Sequence, residues 1–137
     1  MNLSIFYDQV YGVPFSISLQ VDDYNMDLVK NSGSDKLPTT WKEVIELCKT
    51  MKANGVKNPV FWGWNITGNW FMQALLWSQD TPIVKGNEVN FDGNAGLVAL
   101  ETMRDIFRGC EMHNLSWKDA RASFSASELG MLFSSTS

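Results

Sequence analysis

The sequence predicts an α/β fold in which helices flank a small central sheet. Apolar segments of strand length alternate with amphipathic segments of helix length, which is typical of this class. The clearest helix begins with a capping box, and the segment after it is a short apolar run of the kind found in strands buried on both faces. A length of 137 residues fits one domain, so we expect residues 1–137 to form a single domain.

The first elements follow from turn residues and local composition. Gly12 and Pro14 disfavour a helix at residues 10–19. Gly33 follows the short helix predicted at residues 26–31 and ends it. In chain order the sequence predicts extended segments at 10–19 and 21–25, a helix at 26–31, a helix from 41 to about 54, a strand at 59–64, a helix at 69–79, a hairpin at 83–91, helices at 95–108 and 118–125, and a strand at 130–133.

The helix that begins at residue 41 has the strongest local signals. The Thr40 hydroxyl can accept from the amide of Glu43 while the Glu43 carboxylate returns to the cap amide, and Gly55 provides the stop. Apolar residues at helical spacing predict its inward face, namely Trp41, Val44, Ile45, Cys48 and Met51.

Similar patterns define the second half of the chain. Gly86 and Asn87 supply the positive-φ positions that a tight hairpin turn needs. The helix at 95–108 is predicted to pack through Leu97, Leu100, Met103, Ile106 and Phe107. The next helix is predicted to pack through Ala122 and Phe124.

The two cysteines, Cys48 and Cys110, are too few for a disulfide framework. Both fall on apolar helical positions, which favours two buried free thiols. A disulfide between them is the alternative, and thiol titration before and after reduction distinguishes the two.

Composition excludes several classes of protein. The formal charge of -4 provides no basic patch for nucleic acid, and no apolar run approaches the length of a membrane span. Residues 1–8 contain no basic region or small-residue cleavage site, so we identify no signal peptide in this chain.

The residue types do not assemble a catalytic or metal site. His113, the single histidine, is expected on the surface, and neither it nor the cysteines show metal-ligand spacing. Asp22 and Asp23 are adjacent on a predicted strand, so their carboxylates point to opposite faces. Gly63 and Gly68 are not followed by the Lys-Ser/Thr of a phosphate-binding loop. We therefore predict no catalytic residues, no metal and no cofactor.

The stretch from Phe61 to Trp70 contains three indoles interleaved with Gly, Asn and Thr. An indole offers a flat apolar face and an N–H, which suits stacking on a sugar-like ligand. The alternative is that Trp62 and Trp64 belong to a buried strand. We favour that assignment for these two and expect Trp70 to touch ligand.

Small polar side chains follow three of the predicted strands. In α/β sheets, ligands bind at the carboxyl ends of strands, where loop amides and helix N-termini converge. The candidate ligand-binding residues are Ser16, Ser18, Asn65, Thr67, Trp70, Ser134 and Ser135. The alternative is that the first two serines are turn residues and the last two belong to a frayed terminus.

Several stretches together resemble the family 1 extracellular solute-binding proteins of ABC importers, which take up sugars, oligosaccharides and glycerol phosphate. Their order and spacing cover nearly the whole chain. The matching stretches are 10–16, Tyr24-Asn25 with Asp27-Leu28, Pro38 to Trp41 with Glu43, Asn69 to Phe71, Leu75 to Trp77, Ser123-Phe124, and Gly130-Met131 leading into Phe133 to Ser135.

The resemblance implies one lobe of a two-lobed, Venus-flytrap protein that closes on a ligand. This chain resembles the second lobe, with the first lobe and the C-terminal region absent, the strand at 10–18 crossing from the first lobe and residues 133–137 returning to it. By similarity, Trp70 and the serines at 16, 18, 134 and 135 would face the cleft. The sequence departs from the family at Asp22 and Asp23, where apolar or aromatic residues are usual.

The resemblance also implies the setting of the protein. The parent protein would be extracytoplasmic and would dock on an ABC permease, with a sugar or glycerol phosphate as its small-molecule ligand. An isolated lobe is expected to self-associate through its exposed surface. A free-standing carbohydrate-binding module, which would be a clean monomer, is the alternative, and a glycoside hydrolase fragment is a third hypothesis.

Overall fold

The computed structural model describes residues 5–63 and 68–136, where helices alternate with strands as the sequence predicts. The elements are β1 (Ile5–Phe6), β2 (Gln9–Val10), β3 (Gln20–Tyr24), α1 (Met26–Asn31), α2 (Trp41–Ala53), β4 (Asn58–Phe61), α3 (Gly68–Trp77), β5 (Val84–Lys85), β6 (Glu88–Val89), α4 (Asn94–Gly109), α5 (Trp117–Ser125) and β7 (Leu129–Ser135).

A three-stranded mixed sheet lies at the centre, in the order β3-β7-β4. The last strand, β7, is the middle one: it runs antiparallel to β3 and parallel to β4. Asp22 lies opposite Phe133, and Asp23 lies opposite Leu132. Since side chains alternate along a strand, the two aspartates point to opposite faces, as predicted.

The two faces of the sheet carry separate apolar clusters. The larger cluster joins β4 and β7 to the first four helices through residues such as Val60, Trp62, Met131 and Phe133. The smaller one lies on the other face, where α5 buries Ala120 against the sheet. Helices on both faces are the α/β layer arrangement that the sequence predicts.

The capping box and the stop of α2 are confirmed, whereas its predicted inward face is partly wrong, because Trp41 is 37% exposed and Leu47 is buried. The Thr40 side chain accepts from the Glu43 amide at 3.2 Å, and the Glu43 carboxylate accepts from the Thr40 amide at 3.2 Å. After the helix, Gly55 adopts φ +86°, the left-handed conformation that glycine tolerates best. The predicted hairpin is also present, with Gly86 at φ +66° between β5 and β6.

The predicted packing face of α4 is partly wrong. Met103 and Ile106 are buried, but Leu97, Leu100 and Phe107 are exposed. The other buried positions are small, at Gly96 and Ala99, and a Cβ at Gly109 would clash with Ile45 of α2. Close approach of α4 to its neighbours therefore selects small residues and turns the large ones outward. On α5, likewise, Ala120 is the buried residue, whereas Ala122 is exposed.

Residues 11–19 do not form the predicted strand. Beyond Leu19, whose carbonyl accepts from the Thr136 amide at 3.0 Å, they form no regular ladder in the described structure. A strand exists through pairing with a neighbour. The apolar side chains of this segment stay exposed, at Tyr11, Val13, Phe15, Ile17 and Leu19.

The prediction of two free thiols is wrong, because Cys48 and Cys110 form a disulfide. Their Cα atoms are 5.0 Å apart, within the range that a disulfide spans. Cys48 lies on α2 and Cys110 caps α4, so packing of these two helices aligns the thiols. No helix in the described ranges is long and apolar enough to cross a membrane.

Candidate functional site

One edge of the sheet gathers the candidate residues. Parallel strands β4 and β7 both end there, and antiparallel β3 begins there, with Gln20 opposite Ser135. The connection after β4 leads from this edge towards α3, the helix that carries Trp70. This is the strand end where α/β folds place ligands.

A side-chain hydrogen bond ties this edge together. The Gln20 amide Nε2 donates to the main-chain carbonyl of Trp70 at 2.8 Å, which holds the first turns of α3 beside β3. Between them lies a shallow depression of about 280 Å³, here called the Trp70 groove. It is lined by Ser18, Leu19, Gln20, Trp70, Gln73, Ala74 and Trp77.

The indoles of Trp70 and Trp77 supply the aromatic surface of this groove. Residues 70, 73, 74 and 77 share one side of α3 because they are three or four apart. Trp70 is half-buried against the core and Trp77 is 60% exposed. The groove thus combines ring faces for stacking with the amide of Gln73, the combination that suits a hydroxylated ligand.

The structure brings some of the predicted site residues together. Ser18 lines the Trp70 groove, and Ser135 lies opposite Gln20. Ser134 is next along β7, so its side chain points to the opposite face of the sheet. Ser16 is exposed within the irregular segment 11–19. Asn65 and Thr67 lie outside the described residues.

One part of the expectation for the aromatic stretch, the burial of Trp62, can be compared with the structure. Trp62 is buried at 1% exposure and stacks on Trp41, with ring centroids 5.4 Å apart and planes inclined by 14°. The assignment of Trp62 to the core is confirmed. A Cβ at Gly63 would lie 2.6 Å from the Trp117 ring, so glycine permits the close passage of the chain there. Trp64 lies outside the described residues.

A second depression, here called the Asp22 groove, lies next to the first on the helix-rich face of the sheet. Its volume is about 230 Å³. It is lined by Gln20, Asp22, Trp41, Trp62, Phe71, Ala74, Leu75, Ser78 and Phe133. Gln20 and Ala74 line both grooves and separate one from the other.

The Asp22 carboxylate is electrostatically unusual. Its concave surroundings remove part of its solvation, and with a smaller contribution from the Asp23 charge this raises the pKa of Asp22 to about 6. Burial together with the Asp22 charge raises the pKa of Tyr24 to about 12. Both shifts are the response expected of anionic groups at a site that provides no compensating cation.

The remaining candidate groups lie elsewhere. His113 is exposed, and its Nδ1 lies 2.8 Å from Oδ1 of Asn58, at the start of β4 and so at the end of the sheet opposite Trp70. Within 5–63 and 68–136, His, Cys, Asp and Glu residues form no group that could hold a metal ion. The residues that line the Trp70 groove offer stacking and hydrogen bonding.

Sequence reasoning missed Gln20 and Gln73. The spacing of Gln73 from Trp70 on a helix was available as a signal, because residues three apart share a face. Nothing in the sequence around Gln20 indicates its bond to a carbonyl 50 residues later in the chain.

Comparison with known proteins gives a family match over almost the whole chain. The sequence model of a family described as bacterial extracellular solute-binding protein matches residues 2–137. The chain is also similar to the sn-glycerol-3-phosphate-binding periplasmic protein UgpB of Brucella abortus, with 32% identity over 96 residues. That alignment covers 68% of this chain and 20% of the relative.

Two solved structures share the fold. The GacH receptor of Streptomyces glaucescens superposes with a TM-score of 0.80 at 18% identity, over 96% of this chain and 34% of that one. UgpB from Mycobacterium tuberculosis, solved with glycerophosphocholine, superposes with a TM-score of 0.78 at 19% identity, over 97% of this chain and 35% of that one. The chain therefore spans about a third of these structures and a fifth of the Brucella relative.

Proposed function

Because this chain belongs to the bacterial extracellular solute-binding protein family, we propose that it recognises a carbohydrate or glycerol-phosphate-type ligand for an ABC importer. It does so without catalysing a reaction, in an extracytoplasmic protein that docks on the importer's permease. The observation that carries this proposal is the Trp70 groove, which places two indoles and two amide side chains at the carboxyl edge of the sheet.

The names of similar proteins support the ligand class. The GacH structures include complexes with acarbose and an acarbose homologue, and the mycobacterial UgpB structure contains glycerophosphocholine. The Brucella relative is described as binding sn-glycerol-3-phosphate. Acarbose and glycerol phosphates share hydroxyl groups beside apolar C–H surface, which ring faces and amides can bind.

We propose that residues 1–137 correspond to one lobe, the second, of a longer two-lobed receptor. The solved structures are about three times as long as this chain and support this assignment. The Trp70 groove is shallow, as expected of one wall of a cleft. A ligand held there would contact a second wall supplied by the other lobe.

Each residue of this wall has a distinct role in the proposal. Trp70 stacks on the ligand, and Ser18 and Ser135 hydrogen-bond to it from the start of β3 and the end of β7. Ser16, Ser134, Asn65 and Thr67 remain proposed ligand contacts. One stack and a few net hydrogen bonds, each contributing about 1 kcal/mol, correspond to a dissociation constant near or above 1 mM for this wall alone.

Nuclear magnetic resonance titration of the 137-residue chain tests the proposal, with maltose, acarbose, sn-glycerol 3-phosphate and glycerophosphocholine as probes. We expect the Trp70 indole N–H resonance to shift, with millimolar affinity for at least one probe. Trp70→Ala should weaken that binding about fivefold, the equivalent of losing one aromatic stack. Phe107→Ala, which removes an exposed ring from α4, is the matched control.

Two results would contradict this reasoning. A micromolar constant for wild-type chain would be incompatible with half a site. The absence of any resonance shift up to about 50 mM ligand would show that the groove is not a binding wall. A dissociation constant of about 50 mM corresponds to less binding free energy than one stack and one hydrogen bond, at about 1 kcal/mol each, would provide.

Self-association of the isolated chain is a separate part of the proposal. The exposed apolar side chains of segment 11–19 alternate along it, so one face of an extended segment would be apolar and the other would carry Ser16 and Ser18. Such a segment pairs readily with another edge. Sedimentation should show a concentration-dependent dimer that Phe15→Ser weakens; Tyr7→Ser, an equally exposed aromatic in the β1–β2 turn, is the control.

A free-standing carbohydrate-binding module is not favoured. The family match covers residues 2–137 and belongs to solute-binding proteins. A clean monomer that binds a sugar tightly would favour the module instead.

A further inference from the structure

We propose that the Asp22 groove is a binding site for a small organic cation, with Asp22 as the counter-charge and the ring of Trp41, backed by the buried ring of Phe133, as the apolar wall. The proposal is independent of the Trp70 groove and of its ligand. It concerns the helix-rich face of the sheet, between β3, α2 and α3.

The groove is lined by one carboxylate and several aromatic rings. Asp22 and Phe133 lie opposite each other on adjacent strands. Trp41 lies 5.8 Å from Phe133 and 5.4 Å from Trp62, measured between ring centroids, and Phe71 meets Trp62 edge-on at 5.5 Å. Phe133, Trp62 and Phe71 are buried, so Trp41, which is 37% exposed, is the ring of this cluster that a ligand can reach.

Within the described part of the chain, Asp22 forms no salt bridge. In residues 5–63 and 68–136, which contain every Lys and Arg of the chain, the salt bridges involve other carboxylates: those of Glu46, Glu101, Asp105 and Glu111. The charge that acts on the pKa of Asp22 is the negative charge of Asp23. A carboxylate in a partly desolvated site is stabilised by an opposite charge, which makes the groove selective for cations.

Two polar side chains that line the groove already donate to main-chain carbonyls. The Gln20 amide donates to the Trp70 carbonyl at 2.8 Å, and the Ser78 hydroxyl donates to the Leu75 carbonyl at 2.8 Å. A sugar would need such donors for its oxygens, whereas an alkylammonium ion needs a negative charge and ring faces. Asp22 and the exposed ring of Trp41 therefore match a cation better than a polyol.

Size restricts the cation further. A volume of about 230 Å³ is below the roughly 300 Å³ at which sites for drug-sized ligands begin. Trp41 is 37% exposed and also lines a neighbouring depression with Asp22 and Tyr24, so the head group can enter from solvent. A methylated ammonium group fits these limits.

Titration with tetramethylammonium chloride, followed by nuclear magnetic resonance, tests the proposal. Sodium chloride at equal ionic strength controls for screening, and tert-butanol serves as a neutral probe of similar shape. We expect shifts centred on Trp41 and Phe133, with a dissociation constant of about 1–10 mM, and at least about fivefold weaker binding of tert-butanol.

Two aspartate variants provide a matched comparison. Asp22→Asn should weaken tetramethylammonium binding about tenfold, whereas Asp23→Asn, which removes the same charge from the opposite face, should change it less than about twofold. Trp70→Ala should leave it unchanged. Circular dichroism establishes that each variant is folded.

Three results would overturn the proposal. The first is equal binding by wild type and the folded Asp22→Asn variant. The second is a wild-type shift pattern centred on Trp70 rather than on Trp41. The third, which needs no variant, is that tetramethylammonium causes no shift beyond that of sodium chloride up to about 100 mM, far above the expected constant.

Discussion

The side chain of Gln20 donates a hydrogen bond of 2.8 Å to the main-chain carbonyl of Trp70, across 50 residues of sequence. This bond joins an edge strand to the helix that carries the main candidate ligand contact. It also separates the Trp70 groove from the Asp22 groove, because Gln20 lines both. The shape of the proposed binding surface therefore depends on the position of Gln20.

Replacing Gln20 with alanine tests this tie. We expect Gln20→Ala to lower the free energy of unfolding by about 1 kcal/mol, the net value of one hydrogen bond, and to broaden the Trp70 indole resonance. Gln73→Ala removes the same side chain from α3, where it forms no hydrogen bond that links two elements in the described structure, and should cost less than about 0.5 kcal/mol. Urea denaturation measures both, and equal losses would contradict the role of Gln20.

The disulfide between Cys48 and Cys110 should contribute strongly to stability. It closes a loop across a sequence separation of 62 residues, for which chain entropy predicts about 4 kcal/mol. The Cys48→Ala/Cys110→Ala double variant and the reduced protein should both unfold at lower denaturant concentration. Two reactive thiols in the unfolded, unreduced protein would show that the bond is absent.

The capping box predicts a local cost at the start of α2. Thr40→Ala leaves the Glu43 amide without its acceptor and should lower the free energy of unfolding by about 1 kcal/mol. Thr50→Ala is the matched control, since its hydroxyl bonds back to the Glu46 carbonyl within the helix and should cost less than about 0.5 kcal/mol. Thermal unfolding of both variants makes the comparison, and the two should differ in midpoint.

The raised pKa of Asp22 gives stability a defined pH dependence. Burial first and the Asp23 charge second raise this pKa from 3.8 to about 6, so the folded state holds the proton more tightly than the unfolded state. Between pH 3.8 and about pH 6, the titration of Asp22 therefore lowers the free energy of unfolding as the pH rises. Asp22→Asn should remove this fall and be more stable at pH 7, by about 1 kcal/mol or less because the side chain is partly exposed.

Denaturation at several pH values with Asp22→Asn and Asp23→Asn isolates this effect. The comparison must be made at each pH, because the hydrogen bond from the Thr39 amide lowers the pKa of Glu43, which makes stability rise with pH. Asp23→Asn should keep most of the Asp22 effect, since burial is its larger cause. A constant difference between wild type and Asp22→Asn from pH 4 to 7 would refute the assignment.

Sequence reasoning succeeded where causes are local. The capping box at Thr40 and Glu43, the helix at 26–31 and the turn at Gly86 depend on residues within four positions of each other, and each is confirmed. The alternation that sends Asp22 and Asp23 to opposite faces is equally local. So is the helical spacing that places Trp70 and Trp77 on one groove.

The failures share a different cause, which is close packing between distant segments. The exposed positions of Leu97 and Leu100 follow from how near α4 approaches α2, and the cysteine pairing follows from the same approach. Asn65 and Thr67 lie outside the described residues and stay predictions. Ser16 lies in residues 11–19, which do not form the predicted strand because they have no neighbouring strand to pair with in the described structure.

The sequence by itself determined the α/β class, the order of the elements from residue 20 onwards and a family resemblance that comparison confirms. Only the tertiary structure decided that Gln20 holds Trp70 in place and that Asp22 borders an aromatic groove without a cation beside it. Periodicity and capping act through neighbours in the chain, so a sequence records them. The environment of a charge or an amide also depends on residues far away in the chain, such as Trp70 for Gln20, and their approach is fixed by packing of the whole core.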